Sequence, residues 1–265
     1  MNIYLVELKH LWKSLLFWSL GIIAFMLAAM SKYQGYSKAG TSVDNIFKEL
    51  PGGISAFFGA NVLDLQSAAG FFTICALYLA VMLGIQALLL GSGIIAGEEV
   101  DKTIEFLVAK PVSRDRILFA KLLVALTAVV LLNLVTLVVS IVTVAAFNPG
   151  PSIGGDIAFL MPAVLFIQLI FMVVGVAFAA IMRRPRHAAM LSGAVLLATF
   201  ILSAFVDIAG RFEFLRYLTP FQYFDPKTIF ANHAYSLVNI FITVAVVAAM
   251  LAASRFAYNK RDFSV

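Results

Sequence analysis

Charge is scarce in this sequence. Only 12% of its 265 residues are Asp, Glu, Lys or Arg, about half the share found in soluble domains. Cysteine is scarcer still. Cys75 is the sole example and sits inside an apolar run, which excludes a disulfide framework and a zinc site built on cysteines. It leaves a small buried hydrophobe as the reading of that thiol. No Gly-x-x-x-x-Gly-Lys-Ser/Thr loop occurs, so the chain has no phosphate cradle of that kind. His10, His187 and His233 lie far apart and suggest neither a metal cluster nor a catalytic triad. No acidic pair or histidine falls in the middle of an apolar run. That argues against a proton relay, which needs buried ionisable groups, and equally against hydrolysis within the membrane.

Apolar length is what the sequence has in abundance. Hydrophobic residues make up 62% of the chain and the mean hydropathy is +0.99. They gather in six runs, at about 14–30, 69–95, 117–147, 157–182, 188–209 and 234–256. A helix of roughly 20 residues crosses ~30 Å of hydrocarbon. Barrel strands would alternate over about 10 residues, whereas these runs are continuous. Backbone groups in lipid must be satisfied internally, so the expectation is an all-α integral membrane protein with about six transmembrane helices in a single domain spanning 1–265.

Several connections are legible. Ahead of the first run, Leu5, Leu8 and Trp12 recur at helical spacing with Glu7, Lys9 and Lys13 off that stripe. This predicts either an amphipathic helix in the interface or an extension of the first span. No small-residue cleavage site follows, so the first run is expected to stay in the protein. The segment 31–66 is polar, with Pro51-Gly52-Gly53 as a breaker and Phe57 and Phe58 suited to a membrane surface. Gly91-x-Gly93 is expected to loosen the end of the second span. Asn148-Pro149-Gly150-Pro151 reads as a turn, and Arg183-Arg184-Pro185-Arg186-His187 as a short basic loop. Between the fifth and sixth runs, 210–233 holds Phe212, Phe214, Tyr217, Phe221, Tyr223 and Phe224 with Pro220 and Pro226. It suits an aromatic belt or a segment that dips back into the membrane.

Lysine and arginine set the orientation. Thirteen of the nineteen fall at the N-terminus, the second and fourth connections and the tail, and the positive side of a membrane protein faces the cytoplasm. Both termini are therefore expected inside, which requires an even number of spans. Basic residues confined to the ends of spans give no reason to expect nucleic acid as a partner. Within the spans, Gln86, Asn133 and Gln168 are the main polar residues. Each could line a pathway or hydrogen-bond a neighbouring helix. Gly175-x-x-x-Ala179 and Ser192-Gly193 fit close helix packing, and Asp207 is expected at the outer interface.

The most charged segment is the cytoplasmic loop 97–116. Ile104, Leu107 and Val108 fall at i, i+3 and i+4, which predicts a short amphipathic helix. Pro111 ends it, and Ser113 is placed to cap the next helix. Taken alone, such an element is either a solvated connector or a helix offered to a partner below the membrane.

The segment resembles the signature of the ABC transporter type-2 permease family: a glutamate closing the second span, then Thr-x-Glu-x-Leu, Pro-x-Ser-Arg and a lysine. The matching positions are Glu98 or Glu99, Thr103, Glu105, Leu107, Pro111, Ser113, Arg114 and Lys121. Leu218-Thr219-Pro220-Phe221-x-Tyr223 and the closing Arg261-Asp262 are similar to further family elements. The resemblance implies the permease of a bacterial-type ABC exporter in the cell (inner) membrane, not itself an enzyme. Asp101–Pro111 becomes a coupling helix seated in a cytoplasmic ABC ATPase, which binds the ATP and magnesium. A second permease chain, identical or different, completes the complex. Glu98 and Glu99 are then expected to brace the coupling helix against Lys9 or Lys13. By the same analogy 210–233 is expected to be re-entrant. The competing reading is a membrane scaffold or signalling partner that uses the loop without transport. An enzyme acting on lipid lacks candidate catalytic groups.

Overall fold

Hydrocarbon leaves the backbone one economical choice, a continuous helix that satisfies its own N–H and C=O groups. The computed structural model describes residues 3–39, 64, 66–100, 113–148, 150–182, 185–209 and 213–260. The long helices are α1 (Ile3–Ala39), α2 (Ala68–Val100), α3 (Arg114–Phe147), α4 (Gly154–Ile181) and α5 (Pro185–Ala209). A 3-10 turn (Glu213–Leu218) and two short helices, α6 (Pro220–Tyr223) and α7 (Pro226–Asn232), precede the last long helix, α8 (Leu237–Lys260). No strand occurs among the described residues. Six of the helices are long and apolar enough to cross a membrane.

The helices overrun the apolar runs that announce them. α1 has 37 residues, or ~55 Å at 1.5 Å per residue, well beyond the hydrocarbon thickness. The amphipathic stretch near the N-terminus is thus the first part of one continuous helix with the first span, since neither glycine nor proline intervenes before Gly21. α2 likewise runs unbroken past Gly91 and Gly93 to Val100. Those glycines do not loosen it.

α4 is the hub. Of its most apolar stretch 72% is buried, against 11% in α8, so α4 is the helix the others surround. α2, α3, α5 and α8 all pack on it, and α1 packs mainly on α3. Glycine sets the closest approach. A Cβ at Gly91 would stand 2.1 Å from the carbonyl oxygen of Met172, and one at Gly175 would stand 2.3 Å from that of Leu88. The two backbones touch without side chains between them, a packing mode suited to lipid, where no hydrophobic drive joins helices. Gly175, which opens the Gly175-x-x-x-Ala179 pattern, meets α2 at Leu88 and Ser92, and Gly91 of α2 meets α4 at Met172 and Val176.

Pro162 lies inside α4 and removes one ladder hydrogen bond there. Side chains from α3 and from the connection between α7 and α8 reach carbonyls beside it. The Tyr235 hydroxyl donates to Phe159 and the Asn133 amide to Met161. His233, in the left-handed region at φ 45° and ψ 39°, ends α7 and turns the chain toward α8. Its ring packs between Phe159 and Phe230.

Candidate functional site

The start of α3 is tied to three other helices. Ser113 is the N-cap, its hydroxyl accepting from the Arg116 amide at 3.4 Å, which satisfies one of the free donors of the first turn. Arg114 donates to the carbonyl of Asn259 at 3.1 Å. Asp115 accepts a two-point contact from Arg255 at 2.9 and 3.0 Å and a further bond from the Asn259 amide at 2.9 Å. These side chains stand in solvent, so the fork geometry positions the helix ends more than it stabilises them.

Two turns further into α3 the environment is dry. Lys121 is 1% exposed. Its ammonium donates to the carbonyl of Ile94 on α2 and lies 3.3 Å from Glu7 on α1. The Glu7 side chain keeps 22% of its exposure. A buried ammonium is tolerated only when paired and hydrogen-bonded, and both conditions are met. Tyr4 adds a hydroxyl contact to Thr127 at 3.0 Å, nearly two turns deeper. One end of the bundle is thereby a junction in which α3 is fixed to α1, α2 and α8.

The loop joining α2 to α3 enters that junction from both sides. Of the sequence candidates in it, Asp101, Thr103, Glu105, Leu107 and Pro111 lie outside the described residues, as do the side chains of Glu98 and Glu99. Any pairing of the two glutamates with Lys9 or Lys13 lies there too. Among the described residues the ion pair in the dry part of the junction joins Glu7, on the N-terminal helix, to Lys121.

Halfway along the helices, the Asn133 amide donates to the side-chain oxygen of Gln168 at 3.0 Å. Gln86, Asn133 and Gln168 are all buried inside the bundle. The structure joins the latter two, while Gln86 Oε1 and Gln168 Nε2 have no hydrogen-bond partner among the described residues.

The opposite end holds a second polar cluster. Lys227, at the start of α7, lies 2.6 Å from Asp207 on α5 and 3.9 Å from Asp225. Asp225 caps α7 through the amides of Lys227 and Thr228 and the Thr228 hydroxyl. Burial pushes the Asp225 carboxyl above the ordinary carboxylate range, against the opposing pull of Lys227 and Thr228. Gln222 donates to Asp207 at 2.8 Å and to the Ser203 hydroxyl and carbonyl at 3.1 Å. Asp207 is thus a paired, mostly buried group rather than a surface one.

Position along α5 reveals how deep this segment goes. The Thr219 hydroxyl donates to the carbonyl of Thr199 at 2.9 Å, ten residues before the end of α5 at Ala209, or ~15 Å down its axis. Phe221 is buried against Phe171 and Phe200, and Phe224 against Phe166. The chain between α5 and α8 therefore descends beside α5 and climbs back. Thr219, Pro220, Phe221 and residues 224–227 are buried there, whereas Phe214, Tyr217 and Leu218 stay exposed; cover by protein is the condition for non-helical backbone at membrane depth.

Glu7, Asp115, Arg255 and Asn259 at one end, and Gln222, Asp225 and Lys227 at the other, are functional candidates that sequence reasoning passed over. The sequence profile described as "ABC-2 family transporter protein" matches residues 1–263. No curated protein matches the chain significantly.

Proposed function

The chain belongs to the ABC-2 transporter family, and from that membership we propose that this multi-pass membrane protein is the permease of an ATP-driven exporter, moved by a separate cytoplasmic ATPase. The ATPase binds ATP and magnesium and pushes on the loop between α2 and α3. Within the loop, Asp101, Thr103, Glu105, Leu107 and Pro111 form the seated element, and Glu98, Glu99, Ser113 and Arg114 tie it to its two helices. Both termini and this loop face the cytoplasm, as the lysine and arginine asymmetry favours. Two permease chains and two ATPase chains make the working unit, in the cell (inner) membrane. As α2, α3 and α4 part, Gln86, Asn133 and Gln168 line the pathway.

One observation carries this reading. Lys121 is buried and bonded to both Glu7 and Ile94, while Arg114 and Asp115 hold Asn259 and Arg255. A push on the loop is consequently shared by α1, α2, α3 and α8 at once. Bundles of packed helices transmit displacement as rigid bodies, so a small movement at this junction tilts four of the six spans together.

The test has a topological arm and a biochemical one. With Cys75 replaced by serine, a cysteine at Ser113 should resist a membrane-impermeant maleimide in intact cells and react once the membrane is opened. Affinity purification of the chain should retain a soluble protein with a phosphate-binding loop, whose ATP hydrolysis rises several-fold in the complex. Labelling of Ser113→Cys in intact cells overturns the orientation. A retained partner with no ATP hydrolysis and no nucleotide binding favours the scaffold reading instead.

A further inference from the structure

Charge is buried at the end of the bundle away from Lys121. The side chains of Lys227, Asp207 and Asp225 keep only 11%, 15% and 10% of their exposure. Replacing such a cluster with packed apolar groups is often neutral or stabilising, so cohesion alone does not explain it. A charged contact has a property that an apolar one lacks, because its strength depends on dryness. While dry, parting Lys227 from Asp207 strands two ions. Once water enters, each ion is hydrated and the pair holds weakly. Apolar contacts such as Phe221 on Phe171 behave the other way, since water makes their separation unfavourable.

The cluster also has the right connections. Asp207, Ser203 and Thr199 belong to α5, while Thr219, Gln222, Asp225 and Lys227 belong to the segment that climbs back beside it, and five side-chain hydrogen bonds cross between them. We propose that Asp207, Gln222 and Lys227 form a latch that holds segment 219–232 against α5 and keeps the outward mouth of the permease closed until the transport cycle opens it. These are positioning residues, and they need touch no cargo. The proposal rests on the exporter reading for ATP as the driver and for which end is outward.

A cysteine at Thr219, which is fully buried and close to cysteine in size, reports the state of the mouth. The full chain with Cys75→Ser is reconstituted with its ATPase in proteoliposomes and treated from the outward side with an impermeant maleimide. Labelling of Thr219→Cys should be slow without nucleotide. Lys227→Met should speed it at least about tenfold by stranding Asp207, Gln222→Leu less, and the exchange Asp207→Lys with Lys227→Asp should return it toward the slow rate. ATP with vanadate should speed labelling of the otherwise unaltered latch. Equal rates for Lys227→Met and its parent, both monodisperse, would overturn the latch. If Lys227→Met does not fold, Gln222→Leu decides by the same comparison. Should the complex fail to hydrolyse ATP while latch variants still open the mouth, the ATP-driven reading falls and the latch stands. If ATP turns over and neither variants nor vanadate alter labelling, the latch falls alone.

Discussion

Gly175→Ala removes most of the folded protein, although it adds a single methyl group. The new Cβ would stand 2.3 Å from the Leu88 carbonyl oxygen and 2.9 Å from the Ser92 nitrogen. Both are backbone atoms of α2, which cannot yield as a side chain can. Gly91→Ala meets the reciprocal obstacle at Met172. Overpacking that side chains can absorb costs about 1–3 kcal/mol. Relief here requires α2 to part from the hub helix along its length, so the expected cost is about 3 kcal/mol or more. Gly93→Ala is the control, because a Cβ there meets nothing within 4 Å. Size-exclusion profiles of detergent extracts should show Gly93→Ala at the parental level and the other two variants lost or aggregated. Similar profiles for Gly93→Ala and Gly175→Ala would refute the backbone contact between α2 and α4.

Lys121→Met carries the second large effect. Methionine keeps most of the volume but strands the Glu7 carboxylate and leaves the Ile94 carbonyl without its side-chain donor. Breaking a buried pair costs about 3–5 kcal/mol, and the partial exposure of Glu7 argues for about 3. A chain of this length then loses roughly 6–12 °C of apparent melting temperature, read by tryptophan fluorescence in detergent. Glu7→Gln keeps an acceptor beside the ammonium and should lose less. The double variant Glu7→Leu with Lys121→Met, with no ion left to strand, should regain most of the stability. If it also regains full ATPase stimulation, the ion pair serves stability alone and the junction needs no charge to pass force. No melting difference between Lys121→Met and the parent would contradict the buried pair itself.

Continuity and length made the fold readable. Runs such as 157–182 leave the backbone no alternative to helix, and Ser113 after Pro111 advertised the start of α3. Helix ends were harder, because polar residues at Glu7 and beyond Ile95 continue a helix that has already left the hydrocarbon. The family signature singled out Lys121, yet nothing in the sequence placed it inside the protein, since lysines near span ends ordinarily snorkel to water. Its partner Glu7 lies 114 positions earlier in the chain, a pairing that only the packing of α1 on α3 creates. Asp115 with Arg255, and Asp207 with Lys227, are hidden for the same reason. Asp207 read as interfacial by its position near a span end, and its burial follows from the packing of 219–227 beside α5. Gly91 was misleading because a glycine in a helix suggests looseness until the opposing backbone is known.

ATP hydrolysis by the purified permease–ATPase complex, with Glu105→Ala and Leu107→Ala introduced together, bears most directly on the claim that force enters through the loop between α2 and α3. Both positions lie in the segment expected to seat in the ATPase. The expected result is a complex whose permease remains monodisperse but whose ATPase rate falls to that of the isolated ATPase. Stimulation equal to that of the unaltered permease would contradict it.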